Sequence, residues 1–235
     1  MIDEIKEQLI LGLPIETELG MCNQLKVRDL IYFNKDLRAI SLNKDHIIRS
    51  FADAKDKEII DYIKSRSLLQ IIHEVDDIKN SYINVFNKMF REDAFYEVNE
   101  DNLDFYRELL LSMNCIKEEK INPNPEIQAA IERSKRVNAD EGESVDLSCM
   151  VSSIVVACGI PYSDILELTL YQMHMTFSRI GQFKDFDTTV VLASAGADKV
   201  KIESWSKDVN LFKEDKHAVS ESQFNNSFGK ILSGS

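Results

Sequence analysis

The sequence predicts a mainly α-helical protein, a multi-helix globular bundle with little or no β-sheet. Only 4 prolines and 8 glycines occur among 235 residues, and scarce chain breakers favour long helices over a turn-rich sandwich or barrel. Apolar residues recur in most segments with the period of about 3.6 that is typical of amphipathic helices. A chain of this length buries roughly 70% of the surface exposed when unfolded, so it needs neither disulfides nor a structural metal.

Residues 1–116 are predicted to form an N-terminal helical subdomain. A short helix over 3–11 should end at Gly12, and a loop or extended segment should follow as far as Gln24. Further helices are predicted over 27–40, 45–51, 55–65, 67–87 and 103–114. The helix over 27–40 would turn four apolar side chains inward, namely Val27, Leu30, Ile31 and Leu37.

Residues 117–144 are predicted to form a linker region with one short helix. Two prolines alternate with two asparagines over 122–125, which excludes a helix interior there. A short helix is predicted over 126–137, and the polar stretch 138–144 is predicted to be a loop.

The C-terminal helical subdomain, residues 145–235, has the most regular apolar pattern of the chain. An apolar helix is predicted over 146–158, ended by Gly159. Ser163 is the predicted N-cap of the next helix, which should end at Gly181.

Three further segments complete this subdomain. Residues 187–195 are ambiguous, because β-branched side chains favour a strand, whereas a capping aspartate and the following glycine favour a short helix, which we prefer. A helix over 198–212 would place Trp205 and Phe212 on one apolar stripe. The amphipathic segment 220–232 is too short to be stable alone, so we expect it to dock on the body or on a partner.

The charge of the chain restricts its partners. With 40 acidic and 28 basic residues, the formal net charge is −12, which argues against binding to nucleic acid or to an anionic membrane. No apolar run approaches the roughly 18 residues of a membrane span, and the N-terminus lacks the basic start of a signal peptide. We therefore expect a cytoplasmic protein whose four cysteines, none of them in a C-x-x-C pair, are reduced and partly buried.

Motifs for catalysis are weak. His73, Asp76 and Asp77 would share one face if 67–87 were a single helix, and they could then bind a divalent metal. Asp77 stands where a zinc protease has its second histidine, and a solvated acidic face explains the cluster more simply. We predict no catalytic residue, no cofactor and no metal; a metal-dependent hydrolase that uses these three residues is the enzymatic alternative.

Aromatic side chains are the better candidates for a site. Trp205 is the only tryptophan, and it could be either a core anchor or an anchor of an interface, where tryptophan is favoured. We predict a partner-binding role for Trp205 and for three phenylalanines, Phe212, Phe224 and Phe228.

The C-terminal half resembles tail assembly chaperones encoded in the tail-gene region of phages and prophages of Gram-positive bacteria. The resemblance lies in features that follow one another in a fixed order. They are Asn122-Pro123, Asp146-Leu147, Leu168–Gln172, Phe186-Asp187, Ala195–Asp198, Lys199–Lys201 and Trp205, with a looser match at Glu18–Gly20.

The resemblance implies a non-catalytic helper in phage tail assembly. Such chaperones coat the long, helical, aggregation-prone tape measure protein before tail-tube subunits polymerise around it. The implied partners are therefore the tape measure protein or the tail-tube protein. The sequence does not decide whether the chain forms a homo-oligomer. A structural component of the tail or baseplate is the alternative within the same class.

Overall fold

The computed structural model confirms a mainly α-helical globular fold. It describes residues 2–52, 57–118, 125–140, 146–196 and 201–212. These residues contain eleven α-helices and one two-stranded antiparallel hairpin. The chain divides into a larger unit, Met1–Glu119 with Val145–Leu211, and a smaller unit, Lys120–Ser144 with Phe212–Ser235. The predicted subdomain boundaries stay predictions.

The first part of the larger unit holds most of the buried core. Its regular elements are α1 (Ile2–Leu11), β1 (Ile15–Thr17), β2 (Gly20–Cys22), α2 (Leu30–Ser41), α3 (Lys44–Ala52), α4 (Lys57–Ser65), α5 (Leu68–Glu74), α6 (Asp76–Met89) and α7 (Leu103–Met113). The later elements are α8 (Pro125–Asp140) of the smaller unit, and α9 (Leu147–Cys158), α10 (Tyr162–Ile165) and α11 (Leu170–Ser194) of the larger unit. The predicted helix over 126–137 is therefore confirmed as part of α8.

The predicted end of α1 is confirmed. Gly12 follows the helix with φ of 71°, a left-handed conformation that glycine adopts without strain. The extended segment after it is the hairpin β1–β2, in which Ile15 lies opposite Cys22. The Thr17 hydroxyl closes the turn by donating to the carbonyl of Gly20 at 2.8 Å.

The inward orientation predicted for Ile31 is wrong, because 79% of this residue is exposed. Residues Val27–Asp29 form a 3-10 turn ahead of α2. A 3-10 helix has about three residues per turn, whereas an α-helix has 3.6. A 3-10 turn ahead of α2 therefore changes which residues of α2 face the core. The buried positions of α2 are consequently Leu37 and Ile40.

The single helix predicted over 67–87 is two helices. Ser67 and Gln70 form a reciprocal capping box that starts α5. Val75 then adopts an extended conformation, with φ of −103° and ψ of 101°, and ends α5. Asp76 and Asp77 occupy the first turn of α6, where the helix dipole favours negative charge.

An aromatic cluster forms the centre of this core. Tyr82 and Phe86 of α6 pack on Phe95 with ring centroids 5.4 and 5.5 Å apart. Tyr106 of α7 meets Phe86 edge to face at 6.3 Å. All four side chains are almost completely buried, and each such pair contributes about 0.5–1.5 kcal/mol beyond its buried area.

A buried arginine joins α7 to the end of α2. The Arg107 guanidinium donates to the carbonyl oxygens of Ile40 at 2.9 Å, Ser41 at 3.2 Å and Leu42 at 3.1 Å. It also pairs with the Glu118 carboxylate at 2.7 Å. The carbonyls at the C-terminal end of a helix lack intrahelical donors, so Arg107 supplies the donors that α2 needs there.

A short extended pairing joins the early and late segments of the larger unit. The backbone N–H of Val27 donates to the Leu168 carbonyl at 2.9 Å. The N–H of Leu170 returns a bond to the Leu25 carbonyl at 3.1 Å. These bonds place the beginning of α11 beside the chain that enters α2.

The N-cap predicted at Ser163 is wrong, since Ser163 lies inside the short α10. The N-cap of α11 is Thr169, whose hydroxyl accepts from the Gln172 N–H at 3.1 Å. The Gln172 side chain accepts from the Thr169 N–H at 2.9 Å, which completes a capping box. Residues 166–168 form a turn that joins α10 to Thr169.

The predicted end at Gly181 is also wrong, because α11 runs through this glycine to Ser194. A glycine inside a helix costs about 1 kcal/mol, and the helical residues on both sides of it outweigh that cost. The preferred helical interpretation of 187–195 is confirmed for residues up to Ser194, as the end of α11 rather than a separate helix.

The helix predicted over 198–212 is wrong for its described part, 201–212, which consists of turns and irregular chain. The Arg179 side chain of α11 donates to the carbonyls of Trp205 at 2.6 Å and Lys207 at 2.7 Å. These contacts bind carbonyls that a helix would need for its own hydrogen bonds.

Candidate partner-binding surface

The helix α9 is positioned by a clear start and stop. The Asp146 carboxylate accepts from the Cys149 N–H at 2.8 Å and from the Ser148 hydroxyl at 2.8 Å. The backbone bond from Cys149 is the main cause that lowers the pKa of Asp146, so the cap stays ionised. Gly159 ends the helix in a left-handed conformation with φ of 66°. Both predicted ends are confirmed.

The body of α9 is apolar but poorly buried. Its sequence, LSCMVSSIVVAC, contains no charged residue. Of its 12 residues, all within the described chain, Ile154 is the one that is buried, and Val156 is 84% exposed. An uncharged helix is expected in the interior of a protein. Exposed apolar surface of this kind marks sites of interaction.

The helix α11 carries four charged residues, and it too is poorly buried over most of its length. Its three buried residues, Leu170, Tyr171 and Met173, all lie in the first turn of this fully described 25-residue helix. The later part of the helix is rich in apolar side chains that are at least two-fifths exposed, namely Phe183 at 42%, Val191 at 67% and Leu192 at 49%. We call α9 and α11, which pack against each other, the apolar helix pair.

Trp205 extends this surface beyond the helices. Its ring meets Phe183 edge to face, with centroids 5.6 Å apart and an interplanar angle of 87°. Because Trp205 is 42% exposed, its interpretation as a core anchor is wrong. An exposed tryptophan held by a neighbouring aromatic ring is the kind of residue that anchors protein interfaces.

The irregular segment that carries Trp205 is attached to the body at two further points. Lys6 of α1 donates to the Asp208 carboxylate, and this bond is the main cause that lowers the pKa of Asp208. Val209 is buried. Together with the carbonyl contacts of Arg179, these interactions hold the tryptophan in place beside α11.

The other predicted partner-binding residues stay predictions. Phe212 is half-buried and ends the described chain in the smaller unit. Phe224 and Phe228 lie outside the described residues, as does the predicted helix 220–232.

The metal site considered for His73, Asp76 and Asp77 assumed one continuous helix, but these residues belong to two helices. His73 lies in the last turn of α5, whereas the two aspartates lie in the first turn of α6. All three side chains are exposed. The His73 ring packs on Phe95 with centroids 5.4 Å apart. Within the described ranges, no group of three or more His, Cys, Asp or Glu side chains could hold a metal ion.

The remaining reactive side chains divide into buried and exposed groups. His174 on α11 is half-buried, and this partial burial lowers its pKa. Burial also raises the pKa of the Cys22 and Cys115 thiols to about 12. By contrast, Cys149 and Cys158 of α9 are free and exposed, so the expectation of partial burial is wrong for these two.

Comparison with known proteins defines the class as phage-related. Residues 3–123 match the YomV N-terminal domain, and residues 137–210 match the YomV second domain. The chain is also similar to the SPbeta prophage-derived uncharacterized protein YomV of Bacillus subtilis (strain 168), with 31% identity over 225 residues, which cover 93% of this chain and 94% of that protein. The chain therefore belongs to the YomV family.

Two further comparisons complete the description. No solved structure matches the chain. Among the helices that the structure describes, none is long and apolar enough to cross a membrane.

Proposed function

We propose that this protein is a non-catalytic chaperone of phage tail assembly that holds the tape measure protein through its apolar helix pair. The observation that carries the proposal is the poor burial of α9 and α11. The helix α9 has 12 uncharged residues, of which one is buried. The neighbouring α11 has 25 residues, all within the described chain, and its buried residues lie in the first turn. The two helices therefore offer apolar surface to another polypeptide.

The chemistry of a tape measure protein suits this surface. A long, aggregation-prone, helical protein presents apolar stripes along its helices. Such stripes dock in apolar grooves of a receptor through side chains spaced at i, i+3, i+4 and i+7. The aromatic pair of Phe183 and Trp205 would supply a fixed anchor at one end of the contact.

The charge of the chain supports a holding function. A chaperone must carry exposed apolar surface without associating with itself, and a net charge of −12 favours solubility through repulsion between molecules. Binding must also be reversible, since the tail-tube subunits have to replace the chaperone. Contacts with a few anchors and little buried polar bonding meet that requirement.

Family membership and the resemblance of the C-terminal half support the same class of function. The related protein of Bacillus subtilis is named as prophage-derived, and the residues that resemble tail assembly chaperones extend over α9 and α11. The prophage relationship also suits a structural component of the tail or baseplate, which is the second candidate.

The first experiment is co-expression with the tape measure protein encoded in the same phage genome. We expect more soluble tape measure protein and a complex that co-purifies with this chain. The proposal would be contradicted if the tape measure protein were equally soluble with and without this chain and no complex formed. Mass spectrometry of purified phage particles separates the two candidates, because a chaperone should be absent or sparse and a component stoichiometric.

A further inference from the structure

A basic cleft lies where the extended pairing meets the start of α11. It has a volume of about 350 Å³, and its lining includes the α11 N-cap, Thr169, together with Lys26, Arg28 and Lys88. Asp29 is the single carboxylate among the lining residues. Three cations in one cleft are notable in a chain with a net charge of −12.

The ion pairs around the cleft hold the cations in place. The Glu167 carboxylate accepts from Lys26 at 2.7 Å and from both terminal nitrogens of Arg28 at 2.7 and 2.9 Å. A two-pronged contact of this kind fixes the plane of the guanidinium. The side chains are about half exposed, so they remain accessible to a ligand.

The third cation is held by Asp29. The Lys88 ammonium lies 3.0 Å from the Asp29 carboxylate, which also accepts from the backbone N–H of Lys26 at 3.0 Å. Burial raises the pKa of Asp29, but these two bonds and the positive charges of Lys88 and Arg28 together outweigh it, so the pKa lies below its ordinary value. With Asp29 and Glu167 both counted, three cations face two carboxylates and one positive charge remains.

A buried acceptor lies in the same cleft. The Gln24 side-chain nitrogen donates to the carbonyls of Leu13 at 2.9 Å and Gln8 at 3.3 Å, which fixes the orientation of the amide. Its oxygen is buried and has no hydrogen-bond donor among the described residues. The fixed amide therefore forms part of the wall of the cleft.

Two exposed leucines adjoin residues of the cleft through the backbone. Leu13 stands between two residues that line the cleft, and Leu166 accepts a backbone hydrogen bond from Arg28 at 3.4 Å. These leucines are 48% and 45% exposed. The cleft thus combines a positive charge with exposed leucines in the adjoining chain.

We propose that this cleft binds an acidic side chain that stands between apolar residues of a peptide segment. The inference rests on the proposed function, because it identifies the class of segment that the bound polypeptide presents at the start of α11. A carboxylate satisfies the surplus cation, and flanking apolar residues of the peptide contact Leu13 and Leu166. A simple inorganic anion would satisfy only the first of these.

The test uses the full chain and a fluorescein-labelled peptide in which two glutamates stand between leucines. Fluorescence anisotropy should show saturable binding that weakens with added salt, since exposed charges are screened. The same peptide with glutamines in place of the glutamates should bind about tenfold more weakly. Equal binding of the two peptides, or displacement by inorganic phosphate at the concentration of the peptide itself, would overturn the proposal.

Two variants with opposite expected effects on peptide affinity separate a loss of binding from a loss of folding. K26Q/R28Q should weaken binding of the acidic peptide about tenfold, whereas E167Q should strengthen it about threefold because it releases both cations. A purely structural role for Glu167 predicts no gain. The matched control is K201Q/K207Q, because Lys201 and Lys207 also share one carboxylate, that of Glu203, but do not line the cleft.

Failure of the cleft proposal can be distinguished from failure of the proposed function. If K26Q/R28Q binds the acidic peptide as the parent does, the cleft proposal fails even when the tape measure protein is still captured. If the parent binds the peptide as expected but captures no tape measure protein, the proposed function fails and the cleft remains a site for acidic peptides.

Discussion

Phe183 and Trp205 meet edge to face with ring centroids 5.6 Å apart, although 42% of each residue is exposed. The contact joins the irregular segment 201–212 to the exposed part of α11. It keeps the two rings ordered while most of their outer surface stays open to solvent. Ordered aromatic surface binds a partner at little entropic cost, because few rotamers are lost on binding.

Trp205 provides a direct optical probe, since it is the only tryptophan of the chain. Its exposure predicts efficient quenching of its fluorescence by acrylamide, an uncharged quencher, in the free protein. Binding of a tape measure segment should shift the emission to shorter wavelength and reduce the quenching. Emission that is blue-shifted and unquenched before any partner is added would contradict the exposed position.

Replacement of Arg107 by alanine should destabilise the protein by about 3 kcal/mol, because it removes the donors of three α2 carbonyls and the partner of Glu118. Urea denaturation followed by circular dichroism measures the change. As a control, R91A removes an exposed ion pair with Glu97 and should cost less than about 1 kcal/mol. Equal effects of the two variants would show that the buried bonds contribute little.

The thiols should react in two classes. Cys149 and Cys158 are exposed, whereas burial raises the pKa of Cys22 and Cys115 to about 12 and suppresses their reactive thiolate form. An excess of Ellman's reagent at pH 8 should therefore modify two thiols quickly and the other two only after unfolding. Four fast thiols in the native protein would contradict the packing of Cys22 against Met113.

His174 should make stability depend on pH in a defined direction. Burial lowers its pKa in the folded protein, so below the ordinary value of about 6.5 the unfolded chain binds more protons. Its contribution to stability is complete above that pH and is lost as pH falls through the folded pKa. The urea midpoint of the parent should drop further between pH 7.5 and 5.5 than that of H174Q; an identical drop would contradict the burial.

Local signals explain the elements that the sequence predicts well. Gly12 ends α1, and Asp146 and Gly159 delimit α9, because caps and left-handed glycines act within a few residues of the helix end. The start of α7 at Leu103 also agrees with the helix predicted over 103–114. Such features can be read from neighbouring residues without knowledge of the tertiary structure.

A contact from another element explains one error, and a local change of helix type explains a second. The apolar stripe of 198–212 predicts a helix, but Arg179 binds the carbonyls of that segment from another element. Ile31 points outward because a 3-10 turn shifts the phase of α2. Apolar periodicity indicates which residues share a face, yet it does not indicate whether the rest of the protein covers that face.

The candidate sites differ in the same way. Trp205 could be selected from the sequence because tryptophan is rare and favoured at interfaces. The basic cleft could not, since Lys88 lies far along the chain from Lys26 and Arg28 and only the fold brings them together. The uncharged sequence of α9 predicts burial, so its exposure could be found only from the structure.

Capture of the tape measure protein by a charged variant of the apolar helix pair tests the central claim most directly. V156D/V191D places carboxylates at positions that are 84% and 67% exposed, and I31D is the matched control at 79% exposure on α2. All three changes should alter stability by only about 0.5 kcal/mol, as is usual for surface positions. In a pull-down with equal amounts of folded protein, V156D/V191D should lose most of the captured tape measure protein and I31D should retain it. Equal capture by V156D/V191D and the parent would contradict binding through α9 and α11.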